Sequence, residues 1–357
     1  MDVGDVIDKF NNWKAKLPKI QPFYAVKCND SPILLELMAS LGCSFDCASK
    51  AEIAKVIKIG VSPERIVFAN PVKMSSHLKF ADRYGVDLMT FDSVCELYKI
   101  KAHHSNPKLV LRIRADSTEA QVSLGMKFGC EPEEAGQLLK TSASLGLPVV
   151  GVSFHVGSGC SETDAYARAI RAAARVAQLA KSYGHVIRLL DIGGGFPGDT
   201  GSSIKEIAEV VNATIAEEWS DWDDQLEVIA EPGRYFVSSA YTLSAAVHSV
   251  RNCDAAKVMY YINDGVYGSF NCILFDHAVK TPELLKVDGD APLERCIVWG
   301  PTCDSTDMIT DCALLPRLSV GDWLVFRDMG AYTIPVSTSF NGFPLPKVHH
   351  LISRRHW

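Results

Sequence analysis

Four stretches of this chain hold side chains that could do chemistry together. Pro22-Phe23-Tyr24-Ala25-Val26-Lys27-Cys28-Asn29 is an apolar, β-prone run that delivers a lysine to its end, with turn-forming residues following at once. An ammonium at the edge of an apolar core is poorly solvated, so its pKa falls and the neutral amine becomes a nucleophile. Asp191-Ile192-Gly193-Gly194-Gly195-Phe196-Pro197-Gly198 follows a later apolar run. Successive glycines let backbone N–H groups approach an anion closely, as a phosphate cradle requires. The spacing is neither that of a dinucleotide fingerprint nor that of a Walker loop. Phe154-His155-Val156-Gly157-Ser158-Gly159 sets an imidazole beside small hydrogen-bond donors, suited to ring stacking and phosphate contact. Glu231-Pro232-Gly233-Arg234 offers a carboxylate that could face a heteroaromatic nitrogen and a guanidinium that could face phosphate oxygens. Each stretch has an ordinary alternative taken singly: a loop lysine, a turn needing positive φ, a core histidine, a surface ion pair.

The elements around these stretches decide between the two readings. Residues 5–17 have helical periodicity, with Val6, Phe10, Trp13 and Leu17 on one face. Short apolar runs then recur at 23–27, 44–47, 65–70, 87–92, 108–115, 148–155, 188–193 and 226–231. Helical patterns separate them at 32–41, 50–59, 76–84, 94–102, 132–145, 164–183 and 204–218. Eight strands alternating with helices, without hairpin turns, predict a parallel sheet, and eight is the number that closes a (β/α)8 barrel of the TIM type. Chemistry in such a barrel sits at the C-terminal strand ends. Those ends read Lys27, Asp46, Asn70, Asp92, Arg112 or Arg114, His155, Gly193-Gly194-Gly195 and Glu231. After Arg234 the pattern changes. Strands are expected at 241–250, 257–263, 295–299 and 323–326 with few helices between them, and 282–292 and 344–347 are expected as turns or loops. This predicts a barrel domain over 1–235 and a mostly antiparallel β domain over 236–357.

Composition removes several function classes. The chain of 357 residues is 47% hydrophobic and 22% charged, ordinary for a soluble globular protein. A net charge of −6 without a basic block offers no footprint for nucleic acid. No apolar run approaches the roughly 20 residues of a membrane span. The start, Met1-Asp2-Val3-Gly4-Asp5, lacks the basic and apolar regions of a signal peptide. The 11 cysteines are scattered and odd in number; Cys43 and Cys47 come nearest to a metal spacing, but no second pair or histidine set completes a site. The expectation is a cytoplasmic enzyme with reduced thiols and no metal.

A lysine amine, a phosphate cradle and a carboxylate for a ring nitrogen describe a pyridoxal phosphate site. At this point the sequence resembles the ornithine decarboxylases, within the alanine-racemase-like fold group (fold type III) of pyridoxal enzymes. The resemblance covers nearly the whole chain and rests on PFYAVKCN, FDCASKAEI, FHVGSGC, LDIGGGFPG, EPGRYFV, NDGVYGSFNCILFDH, WGPTCDSTD, and GAYT followed by FNGF. It implies that Lys27 is the covalent anchor of pyridoxal 5′-phosphate and that Asp46 orients the lysine. It further implies that His155 stacks on the ring and that Glu231 holds the ring nitrogen protonated. Ser158, Gly194, Gly195, Arg234 and Tyr332 are the implied phosphate ligands, and Arg112 is counted with the cofactor-binding residues. Cys303 and Asp304 are expected to reach the active site of a partner subunit in a homodimer, with Cys303 as the proton donor. Asp276 joins Asp304 in binding the distal amine of a basic amino acid. An intersubunit ion pair would join Lys127 to Asp307.

The implied activity is decarboxylation of L-ornithine to putrescine, a step of polyamine biosynthesis. Lysine, arginine and diaminobutyrate are the alternative substrates, and a non-catalytic relative resembling the antizyme inhibitors is the alternative class. Antizyme is the implied protein partner. Three departures stand out. Family members usually carry a further N-terminal segment whose strand joins the second domain, whereas this chain starts at the first helix, so its second sheet is expected to lack an edge strand. Ser305 stands where glycine usually follows Cys-Asp, and Phe275 replaces a common tyrosine. The last two bear on the length of substrate accepted.

Overall fold

Eight short runs rich in Val, Ile, Leu and Phe are buried on both faces, as strands covered by helices must be. The computed structural model describes residues 1–122, 125–220, 222, 226–253, 257–285 and 291–356. The runs form β1 (Ile20–Ala25), β2 (Ser44–Cys47), β3 (Ile66–Phe68), β4 (Leu88–Phe91), β5 (Lys108–Arg112), β6 (Val149–Ser153), β7 (Leu189–Asp191) and β8 (Glu227–Ala230). All pair in parallel with their sequence neighbours, and β8 pairs with β1 to close the barrel. Phe23, Val67, Val110 and Leu189, from β1, β3, β5 and β7, pack together with Ala69 and Ile229. Side chains contributed by alternate strands fill the interior in a layer, so the barrel is a packed core rather than a pore.

Among the described residues, helices α2 (Pro32–Ser40) to α8 (Lys205–Glu218) follow strands β1 to β7, after the leading α1 (Val3–Lys16), and a four-residue helix, Arg234–Val237, follows β8. Their ends obey local chemistry. Proline opens α2 where its missing N–H is no loss. Ser49 caps α3 (Lys50–Lys58) by accepting the Glu52 N–H, and Glu52 returns to accept the Ala48 N–H at 2.6 Å. Ser93 caps α5 (Val94–His103) in the same way, but Glu96, three residues on, turns to a buried lysine instead.

Contacts divide the chain into two units: 9–197 with 202–235, and 1–8 with 198–201 and 236–357. The first eight residues thus group with the second unit, where Asp2 N–H donates to Ala240 O and Val3 N–H to Leu351 O. The second unit holds a sheet of six strands in the order Glu283–Leu284, Trp323–Phe326, Leu243–Cys253, Lys257–Ile262, Glu294–Trp299 and Met308–Leu315. All neighbours are antiparallel except Lys257–Ile262 with Glu294–Trp299. Two strands depart from expectation. Glu283–Leu284 lies in a segment read as loop, and Met308–Leu315 alternates too weakly to declare itself, with Asp311 and Cys312 exposed mid-strand. Each is a sheet edge, and edge strands gain their order from pairing more than from burial. No helix among the described residues is long and apolar enough to cross a membrane.

Candidate active site

Strand β1 ends at Ala25, and Lys27 sits in the single 3-10 turn Val26–Cys28 that follows. The turn is tied down on both sides. Tyr24 Oη donates to Asn29 O at 2.8 Å, and Ala25 N–H donates to Pro232 O. A Cβ on Gly233 would lie 2.8 Å from Cys28 Cβ, so the Glu231-Pro232-Gly233-Arg234 loop packs flush against this turn. Lys27 Nζ forms an ion pair with Asp46 from the neighbouring strand β2. Burial pushes the Asp46 carboxyl up, against the pull of Lys27 and Arg112. One of its oxygens, Oδ1, is sealed from solvent without a protein hydrogen bond.

His155 lies two residues past β6 and accepts the Gly157 N–H on Nδ1 at 3.0 Å. Burial, then the charges of Arg112 and Lys27, hold its pKa well below the usual imidazole range. The ring is therefore neutral, with its proton on Nε2. The glycine run passes directly against it. A Cβ on Gly194 would stand 2.8 Å from His155 Nε2 and 2.8 Å from Glu231 O. Gly195 has φ +106° and comes so close to Gly157 O and Tyr166 Oη that only glycine fits. Ser158 Oγ accepts from Arg234 Nη2 at 3.0 Å, which places a hydroxyl and a guanidinium side by side. Glu231 follows β8 and is buried, and its N–H donates to Gly193 O at 2.7 Å. Burial, then the neighbouring carboxylates Asp191 and Asp46, push its pKa well above the ordinary value, and Lys27 and Arg112 only partly oppose this.

Barrel closure thus brings together Lys27, Asp46, Arg112, His155, Ser158, Gly194, Gly195, Glu231 and Arg234. Of the two arginines considered at the end of β5, the structure puts Arg112 at this mouth. It is buried, stacks over Phe128 at 5.2 Å and carries positive charge to Asp46, His155, Asp191 and Glu231. Arg114 instead points to surface partners, Asp116 and Glu131. Asn70 and Asp92 serve loops, through Asn70 Nδ2 to Ala48 O and the Gly129 N–H to Asp92 Oδ2.

Lys127 lies in the barrel unit, with its Nζ 5.1 Å from the centre of the Phe128 ring, and the other remaining candidates lie in the second unit. Cys303 is exposed on a turn, with its N–H donating to Asn341 Oδ1 at 3.1 Å. Asp304 accepts from Tyr267 Oη and from the Thr306 N–H, and the Tyr267 bond above all holds it below the usual carboxylate range. Tyr267 stacks on Phe340 at 4.4 Å. Asp307 is buried, and its oxygens take up the Val266 N–H and the Thr302 N–H and hydroxyl, so it fixes the turn that presents Cys303. Asp276 is buried just after the short helix Asn271–Phe275. Tyr332 is half-buried, with an uncommon positive φ of 54°.

Sequence reasoning passed over two features. Asp191, quoted only as the lead-in to the glycines, is wholly buried at the tip of β7. Lys73 is buried with Glu96 at 3.0 Å, and its Nζ also donates to Thr90 O and Asn70 O, which braces the rim after β3 and β4. A lysine after an Asn-Pro turn carries no sign of burial in sequence. The Ser93-x-x-Glu96 pattern was a legible cap.

These residues fit pyridoxal phosphate. A lysine stands beside a buried carboxylate with one oxygen lacking a protein hydrogen bond, a glycine cradle closes where any Cβ would fill it, and a hydroxyl and guanidinium pair suits a phosphate. A family model described as pyridoxal-dependent decarboxylase, pyridoxal binding domain, matches residues 3–238. The chain is 46% identical to antizyme inhibitor 2 of Xenopus laevis, over 100% of this chain and 81% of that protein. It is 45% identical to ornithine decarboxylase of Schizosaccharomyces pombe, over 98% of this chain and 82% of that one. Among solved structures it matches the arginine decarboxylase of Paramecium bursaria Chlorella virus bound to agmatine. That match has a TM-score of 0.93 and 40% identity, covering 98% of this chain and 93% of that one. The chain belongs to the pyridoxal-dependent decarboxylases, with pyridoxal 5′-phosphate as its cofactor.

Proposed function

We propose that this chain decarboxylates L-ornithine to putrescine, in the cytoplasm and as a homodimer with shared active sites. The observation that carries the reading is the ion pair of Lys27 with buried Asp46 at a barrel mouth that also holds Glu231 and the glycine cradle. Lys27 would anchor the cofactor through Nζ, with Asp46 orienting the amine. Gly194, Gly195, Ser158 and Arg234 would hold the phosphate, to which the resemblance adds Tyr332. Neutral His155 is suited to lie on an aromatic face, and the Glu231 carboxylate to face the ring nitrogen. Bound pyridoxal phosphate supplies the electron sink for the electron pair left when CO2 departs. Glu231 would keep that sink effective by holding the proton at the ring nitrogen.

The second unit would serve the partner's barrel. An exposed thiol on a fixed turn can give its proton to the substrate Cα, and Cys303 is presented in this way. Asp304, held anionic by Tyr267, would take the cationic distal group together with Asp276, because a carboxylate pair leaves water at low cost only when a cation meets it. Lys127 and Asp307 are the further pairing implied across the interface.

The test is CO2 release from ornithine, lysine, arginine and diaminobutyrate, with the cofactor trapped by borohydride and the label mapped. Ornithine should have the highest kcat/KM and Lys27 should carry the label. Highest kcat/KM for another of the four moves the substrate assignment within the class. The similarity to an antizyme inhibitor favours a second reading, a non-catalytic chain that binds antizyme. Absence of CO2 release from all four, together with antizyme capture, would establish it in place of the first.

A further inference from the structure

The chain leaving β5 makes an excursion before its next helix. Ile113 bridges to Cys130, and from this base Ala120–Val122 runs back to pair antiparallel with Ser158–Cys160. Ala120 is the register partner of Cys160, and Val122 that of Ser158. The seating is close. A Cβ on Gly157 would stand 2.5 Å from Ala120 Cβ, and one on Gly159 3.0 Å from Gln121 Oε1. Ser158 Oγ also accepts from Arg234 Nη2, and the Cys160 N–H donates to Gly195 O at 2.8 Å. The strapped turn is thereby joined to the guanidinium and to the glycine run of the same cradle.

Neither half of this pairing is stiff by itself. Ser158 sits between Gly157 and Gly159, with φ +104° and +61°, and glycines lose much freedom when they order. A sheet of two strands is marginal in water without further anchorage. Glu162 supplies the anchor, directly before α7 (Thr163–Ser182). Its Oε2 accepts the Ser117 hydroxyl at 2.8 Å, the Thr118 N–H at 2.9 Å and the Thr118 hydroxyl at 3.2 Å. Its Oε1 accepts from Arg168 Nη2 at 2.6 Å. The Arg168 bond first, then those from Ser117 and Thr118, hold the carboxyl down at about 2, so at neutral pH all four bonds are charge-assisted. The other ties are lesser: Ser161 Oγ to Glu119 Oε2 is exposed, and Cys160 Sγ to Ser117 Oγ uses a weak thiol donor.

We propose that Glu162 is a positioning residue for cofactor capture: its carboxylate latches the strap of residues 117–122 onto the Ser158 turn and so sets the affinity for the phosphate group of pyridoxal phosphate. The inference rests on the reading that Ser158, Gly194, Gly195 and Arg234 hold that phosphate. Without the latch the strap lifts and the turn samples other conformations, so ordering it is drawn from binding energy at each capture. Lys27, His155 and Glu231 make no contact with the latch, and the loss is confined to ligands that carry a phosphate.

The test is equilibrium binding of pyridoxal phosphate and of pyridoxal, which lacks the phosphate, to the cofactor-free full chain, followed by ligand absorbance. Glu162→Ala should weaken pyridoxal phosphate about tenfold and leave pyridoxal within about twofold. Ser117→Ala should act in the same direction, and the double variant should bind much as Glu162→Ala does, because both changes open one latch. Hydrogen exchange of the cofactor-free Glu162→Ala chain should speed up at residues 117–122 and 158–160 and stay unchanged in the barrel strands. Equal weakening of both ligands, or unchanged exchange in those two segments, overturns the latch. Ser158→Ala separates it from the reading beneath it. If this variant lowers the preference for pyridoxal phosphate over pyridoxal while Glu162→Ala does not, the phosphate site stands and the latch fails. If neither lowers it, the phosphate is held elsewhere and the latch fails with the site.

Discussion

Lys27 and Asp46 meet across adjacent strands: Ala25 is the register partner of Asp46, and the turn after β1 brings Nζ back onto its carboxylate. The two ends of the pair differ in exposure, with the lysine side chain 37% exposed and the aspartate 0%. The amine is reachable from the mouth while its counter-ion is not. Lys27→Ala should lower turnover at least about 10³-fold, on the order of 4 kcal/mol of barrier. The fold should survive, because Asp46, already pushed up by burial, can take a proton when the cation goes. Near-wild-type CO2 release by this variant would remove Lys27 from the chemistry.

Glu231 should act through charge. Glu231→Gln keeps the shape and loses the anion, and turnover should fall by at least about tenfold, equivalent to ~1.4 kcal/mol. An unchanged kcat would show that this side chain does not face the ring.

Asp191 gives stability a pH dependence of definite sign. Its folded pKa is about 7, whereas an unfolded aspartate titrates near 4, so the folded state binds the additional proton between those values. That stabilisation is complete below about pH 4 and is lost as pH rises through about 7. Relative to Asp191→Asn, cofactor-free wild type should therefore become less stable across this window, by on the order of 1 kcal/mol per pH unit. Denaturant titrations of both proteins at pH 5 and pH 8 measure it, and parallel curves would contradict the assignment.

Lys73→Met should be a stability variant. It leaves Glu96 buried with Lys99 and the residue 73 N–H, and takes the Nζ donor from Thr90 O and Asn70 O. Breaking one side of a buried ion pair costs about 3–5 kcal/mol. A shift in unfolding midpoint below 1 kcal/mol would mean that the rim relaxes to let water in.

The proposed sharing of sites between subunits can be tested by mixing. Homodimers of Lys27→Ala or of Cys303→Ala are each expected to be inactive in correct product formation, but a mixed dimer carries both changes in one site and neither in the other. Random re-assortment of equal amounts makes about half the dimers mixed, so roughly 25% of wild-type activity should return. With subunit exchange verified by tagged wild type, no recovery would assign Cys303 to its own chain's site.

Much of this protein was legible in order of sequence. The eight strand runs and the helices between them follow from short-range periodicity, which is local, and parallel pairing follows because no hairpin turn joins the runs. The strand-end positions of Lys27, Asp46, His155 and Glu231 came with that alternation. The edge strands Glu283–Leu284 and Met308–Leu315 did not, because pairing rather than an apolar face orders them. Strand pattern alone left open which arginine enters the mouth, since Arg112 and Arg114 project alike from an extended run, although Arg112 was counted with the cofactor-binding residues. Only the end of β5 puts the first inside and the second among surface carboxylates. Charge state was beyond the sequence altogether. A neutral His155 and raised Asp191 and Glu231 carboxyls arise from burial and from charged neighbours 40 to 204 residues distant along the chain. Residue types set what chemistry is available here; the closing of the barrel, which removes water and sets β7 beside β8, decides which groups are charged.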